Sequence, residues 1–244
     1  MLSAAEISAL YEGFKTKHEA VSDLVRPSFL PHVDHAVFGN LENGDLYGWI
    51  PSSQCVTILL CEAPPWKYQT ERKGPYFYSD ESGRGQSPSS MIFKGLGIRA
   101  ENKLHGLHNF KGAGYLLLDS IKCPIKSKLT RRTHSAELED LVNISRKIVK
   151  NEFEELVAHG KQLRCVVASG NTALKLMDDF CDKNGGLPIG GLKTWMAKWP
   201  EGKVVMSHYA PVLPWFLPSG RNPLAGPSFD GGRLKKAIDH CLDQ

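Results

Sequence analysis

Three carboxylates, one imidazole and a run of cations are the groups of this sequence whose types and spacing suggest chemistry. Glu62, Asp80, Asp119 and His208 each fall just past a short apolar run, in text rich in Pro, Gly and aromatics. A carboxylate so placed can accept a proton from water or support a developing cation, and an imidazole can donate to a carbonyl that gains charge. The stretch KCPIKSKLTRRTH places Lys122, Lys126, Lys128, Arg131 and Arg132 within eleven positions. Such a patch can neutralise phosphates, or it can be a solvated loop. His32-x-x-His35 and His105-x-x-His108 have the spacing of metal pairs, but neither is joined by a Cys or acid cluster, so both read as structural. The six cysteines (55, 61, 123, 165, 181 and 241) form no CxxC and read as buried reduced thiols.

The elements that must position these groups follow from hydrophobic patterning. Val56–Cys61, Tyr115–Asp119, Arg164–Ser169 and Lys203–Ser207 are nearly continuous apolar runs, as strands covered on both faces require. Helical text lies near Ser87–Leu96, Ser135–Ala158, Asn171–Asp182, Leu192–Trp199 and Gly232–Leu242. Ser3-x-x-Glu6 reads as a capping box, with Ile7, Leu10, Tyr11 and Phe14 on one helix face. Strand–helix alternation predicts an α/β fold: a three-layer α/β/α domain with a central four-stranded, mainly parallel sheet. One domain spans residues 1–244, with 1–50 as an N-terminal helical extension. In such sheets the ligand site lies at the carboxyl ends of the strands, where the loops after 61, 119 and 207 fall.

Composition narrows the class. With 244 residues, 41% hydrophobic and 23% charged, the chain can bury a core, which excludes disordered and collagen-like classes. No apolar run approaches the ~18 residues of a membrane span, and the N-terminus lacks a secretory pattern. A cytoplasmic protein without membrane contact or an obligate protein partner is expected. The net charge of +4 is mild, so any nucleic-acid surface must be local. No GxGxxG or GxxxxGK[ST] is present, which argues against a nucleotide-binding protein.

The ordered segments LLCEAPP, GPYFYSDESG, LLLDSIKCP, VVASGNTAL and SHYAP resemble the uracil-DNA glycosylase superfamily over about residues 55–215. The likeness is greatest to the prokaryotic branches with E-A-P or L-A-P in the first motif. It implies base flipping and hydrolysis of an N-glycosidic bond in DNA. Phe77 matches the aromatic that stacks on the extruded base, Asp119 the strand-two residue that reads it, and His208-Tyr209-Ala210-Pro211 the terminal H-P-S-P motif. Ala63 stands where the best-known branch has an Asp, and Pro65 where it has a Tyr that crowds the pyrimidine 5-position. The E-A-P and L-A-P branches usually carry a four-cysteine iron–sulfur cluster. Here Cys123 alone matches, and one thiolate cannot hold a cluster, so no cofactor is expected.

Glycosidic hydrolysis passes through an oxocarbenium-like sugar and an anionic leaving base. The resemblance of Ser79-Asp80-Glu81-Ser82-Gly83 to a G-D-x-S-G stretch assigns Asp80 to the water, and that of the terminal motif assigns His208 to the base carbonyl. Glu62, whose family position usually contacts the base or backbone, is the second choice for the water. Phe77 offers a stacking face worth ~1–3 kcal/mol, or else is a core aromatic. Grip on single- or double-stranded DNA, independent of sequence, falls to the basic run and to Arg221. Leu213, Trp215 and Phe216 are candidate wedges for the vacated stack, or loop packing. An ionised Asp119 accepts hydrogen bonds only, so it suits the 4-amino group of a cytosine-type base and repels the 4-carbonyl of uracil. The small Pro65 leaves room for a 5-substituent. The expected substrate is thus a modified cytosine, 5-hydroxymethylated or glycosylated, as in invading DNA. The alternatives are a uracil-excising repair glycosylase and a catalytically silent DNA-binding member.

Overall fold

In the computed structural model, the described residues are 4–27, 50–64, 66, 77, 88–126, 129, 134–177, 181–182, 188–189, 192–193, 195–198, 209–215 and 233–242. Helix α1 (Ala4–Lys17) and a short 3-10 turn (Glu19–Leu24) precede strand β1 (Cys55–Cys61). Helices α2 (Pro88–Gly95) and α3 (Lys103–Gly112) lead to β2 (Tyr115–Asp119). The long α4 (Ser135–Ala158), β3 (Gln162–Ser169) and α5 (Asn171–Met177) follow. Short strands β4 (Cys181–Asp182), β5 (Pro188–Ile189), β6 (Leu192–Lys193) and β7 (Trp195–Lys198) lead to β8 (Tyr209–Trp215), and α6 (Arg233–Leu242) closes the described chain.

The fold is mixed α/β. The main sheet runs β2-β1-β3-β8-β7-β4, parallel at β2/β1, β1/β3 and β3/β8 and antiparallel at β8/β7 and β7/β4. It holds six strands, not four. Two stretches expected to be helical are strands: the end of Asn171–Asp182 forms β4, and Leu192–Trp199 supplies β6 and β7. Pairing decides both, since β7 lies along β8 with Trp195 opposite Val212 and Lys198 opposite Tyr209.

Alternate residues of the central strands enter two apolar clusters, as the two-residue strand period requires. Ile58, Leu60, Leu116, Leu118 and Val166 pack with Val142, Val149 and Phe153 of α4 and Leu176 of α5. Leu59, Cys61, Leu117 and Val167 pack with Ile92 and Phe93 of α2, Leu107 and Phe110 of α3, and Leu234 and Ile238 of α6. A third cluster joins Ile7, Tyr11 and Phe14 of α1 to Ile121, Cys123, Ile125 and Leu129 after β2, and to Leu141 and Ile148 of α4. Residues 4–27 are therefore not an appendage: Tyr11 is fully buried. A one-rung antiparallel bridge, Val25 opposite Ile125, fastens the end of this segment to the loop after β2. No helix among the described residues is long and apolar enough to cross a membrane.

Candidate active site

The carboxyl edge of β1, β2 and β3 gathers a polar cluster. Cys61 lies beside Asp119 in the last rung of the β1/β2 ladder. The pairing runs on past both strands, with Ser120 N donating to Cys61 O (2.7 Å) and Ile121 N to Glu62 O (3.0 Å). This fixes Glu62 and Ser120 in register although neither belongs to a strand. From the third strand comes the turn Ser169-Gly170-Asn171. Gly170 takes φ +92°, open to glycine without strain, which lets α5 begin two residues after β3 ends. Thr172, in the first turn of α5, then donates from Oγ1 to Glu62 Oε1 at 2.6 Å.

The electrostatics match this geometry. Asp119 and Thr172 are buried and Glu62 half-buried. Burial pushes the Cys61 thiol well up, and the carboxylates of Asp119 and Glu62 push it further. Cys61 is thus an inert neutral thiol flanked by two acids. Ser120 Oγ is buried without a hydrogen-bond partner among the described residues. The cluster can hold a water through Glu62 and present Asp119 as an acceptor to a ligand amino group.

Several expected site residues lie elsewhere. Lys122 is not a DNA contact: its side chain is 0% exposed, and Nζ donates to Glu152 Oε2 of α4 at 2.6 Å. Its backbone N donates to Tyr11 Oη at 3.0 Å, and Tyr11 Oη lies 3.0 Å from Ser145 Oγ. An ammonium buried this deeply needs a carboxylate, and α4 supplies one. Burial drives the Glu152 carboxyl above its ordinary range, against the pull of Lys122. Phe77 packs in the core, its ring 5.7 Å from Phe93 and 5.0 Å from Phe110, both edge-on. Ala63 is half-buried against the cluster around α1. Cys123 is fully buried in that cluster, and desolvation holds its thiol far above the ordinary range. Among the described residues no group of three or more His, Cys, Asp or Glu could hold a metal.

Lys126 remains at the surface, paired with Asp23 Oδ2 at 2.9 Å. Of the terminal motif, Tyr209, Ala210 and Pro211 lie inside β8. Since Val212 faces Val166 and Trp215 faces Ser169 in parallel register, Trp215 is the residue that β8 brings to the acid-lined edge. Tyr209 starts the same strand six residues earlier, about 20 Å away. Asp80, Pro65, Lys128, Arg131, Arg132, His208, Arg221 and the strand expected over 203–207 lie outside the described residues. A groove between Arg99, Asn109, Tyr115, Arg164 and Lys235 opens at the amino end of β2, away from the acids.

Reasoning from the sequence missed Thr172, which sits in the segment VVASGNTAL. The signal was a Gly between a strand and a helix, with hydroxyls on either side. No protein-family model matches the chain, and neither a curated protein nor a solved structure does so.

Proposed function

We propose that the chain is a monofunctional DNA glycosylase of the uracil-DNA glycosylase type, built as a three-layer α/β/α domain around a four-stranded parallel core. Its substrate is a flipped-out cytosine-type base carrying a 5-substituent. One observation carries the reading: two carboxylates, Asp119 at the end of β2 and Glu62 one residue past the end of the neighbouring parallel β1, adjoin Cys61. Held by Thr172, Glu62 aims the attacking water and supports the cationic sugar. Asp119 accepts from the 4-amino group and disfavours a 4-carbonyl, because a charge desolvated against the wrong edge costs several kcal/mol. Asp80 remains the alternative carboxylate for the water.

The test is base release from matched oligomers containing uracil, cytosine, 5-hydroxymethylcytosine or glucosylated 5-hydroxymethylcytosine. Wild type should release a modified cytosine, Glu62→Gln should lose roughly 10²–10⁴ in rate, and Asp119→Asn should shift preference toward uracil. Efficient uracil excision by wild type, with none on the modified cytosines, refutes the substrate assignment. The core packing of Phe77 favours a second reading, a silent DNA-binding member of the same superfamily. DNA binding without release of any base would select it.

A further inference from the structure

Trp66, four residues beyond Glu62, carries two cations on one ring. The Arg26 guanidinium carbon lies 3.9 Å from the indole centroid and Lys126 Nζ lies 5.0 Å from it. The three residues come from three separate segments. The bridge between Val25 and Ile125 brings two of them together, with Arg26 N donating to Pro124 O (3.1 Å) and Lys126 N to Leu24 O (2.9 Å). Both bridge residues are buried, so the rung is anchored. From Ile121, whose N–H is bonded to Glu62, to Pro124 is three residues, at most about 10 Å of chain. The rung that carries both cations is therefore joined to the acid-lined edge by a short stretch of chain.

Two cations on one ring repel each other. Asp23 neutralises Lys126, whereas among the described residues no acid pairs with Arg26. Of the described residues around this ring, Arg26 is the cation without an acid beside it. A guanidinium at this distance from a ring centroid is held by the cation–π attraction, and its fork of N–H groups can still donate. That fork matches two oxygens of a phosphodiester. The indole stiffens a side chain that would otherwise lose rotamer freedom on binding.

We infer that Arg26, held on Trp66 beside Lys126, is a phosphate clamp for the DNA strand entering the site. The inference rests on the proposed DNA substrate but not on base excision. It makes the N-terminal segment, with the loop after β2, part of the DNA surface.

The experiment measures the affinity of a 15-nucleotide single strand and of its duplex against salt concentration, for wild type, Arg26→Ala, Arg26→Lys and Trp66→Leu. The bridge uses only the backbone of Arg26, so matching melting curves for Arg26→Ala and wild type certify its fold. Arg26→Ala should weaken binding about tenfold and reduce the log–log salt slope by about 1. Arg26→Lys should keep the slope and lose part of the affinity, because an ammonium lacks the fork. Trp66→Leu should weaken binding with the slope intact. Wild-type affinity and slope in Arg26→Ala would overturn the clamp, as would a wild type that fails to bind DNA. Base release is scored separately on the same oligomers. Release by wild type with an Arg26→Ala variant that binds normally removes the clamp and keeps the glycosylase. Weakened binding in Arg26→Ala with no release by wild type does the reverse.

Discussion

Breaking the Lys122–Glu152 pair should unfold the protein more readily than almost any surface change, because neither group has water to fall back on. The side chains are 0% and 7% exposed and 2.6 Å apart. Replacing Lys122 by Met strips the buried carboxylate of its ammonium, which costs about 3–5 kcal/mol. Against a total of about 5–15 kcal/mol, that is a fifth or more of the stability of an ordinary domain. For a chain of this size it lowers Tm by roughly 6–20 °C. Glu152→Leu should cost a similar amount, and the double variant should return to within about 2 kcal/mol of wild type. The pH dependence follows with its sign. Burial already holds the Glu152 carboxyl above its ordinary value, so its contribution is greatest below the unfolded value and is lost as pH rises through the folded one. Without Lys122 that rise is larger, and Lys122→Met should regain stability as pH falls from 8 to 5. Urea unfolding at several pH values, with midpoint and slope both recorded, measures all of this. Additive single variants, each costing under about 1 kcal/mol, would refute the buried pair and return Lys122 to the surface.

Thr172→Val should lower base release about tenfold at saturating DNA with little change in KM, and Thr172→Ser should restore it, since only the hydroxyl on Glu62 is at issue. Gly106→Ala should destabilise by about 1–3 kcal/mol in thermal melts despite the better helix former, because its Cβ would stand 2.4 Å from the buried Phe93 ring and 2.8 Å from Ala100 Cβ. Hydrogen bonds from Lys17 and His18 hold the Asp140 carboxyl below its ordinary value. That stability is present above the unfolded value of about 3.9 and lost as pH falls through the folded one. In denaturant titrations the deficit of Asp140→Asn at pH 7 should therefore shrink below about pH 4.

Local pattern made the centre of the fold legible. Tyr115–Asp119 and Ser135–Ala158 have the bounds their apolar runs and helical repeat suggest, and β1 and β3 begin one and two residues earlier than expected. The C-terminal third was not legible in this way. In LKTWMAKW the apolar spacing suits a helix, and only pairing with β8, more than ten residues on, makes it extended. Helix α3 is not legible in the sequence, because KLHGLHNFKG has a central Gly and no clear apolar stripe. Gly106 is there because α2 and α3 meet at that point with no room for a Cβ. At the site, Glu62 and Asp119 could be read from their places after apolar runs. The burial of Lys122 could not, since its acid lies 30 residues away in a helix. Arg26 offered no local signal, because its significance depends on a rung between residues 25 and 125.

The union of α1 with the loop after β2 also sets a timetable for synthesis. Tyr11 finds the backbone of Lys122 only 111 residues later and Ser145 only 134 residues later. At about 5–20 residues per second, the N-terminal helix leaves the ribosome roughly 5–30 s before its partners exist. Through that interval Ile7, Tyr11 and Phe14 present an apolar face to solvent, as a target for holding chaperones or for neighbouring nascent chains. Slower elongation between residues 27 and 145 lengthens the exposure, so the yield of folded protein should depend on translation speed across the middle of the message.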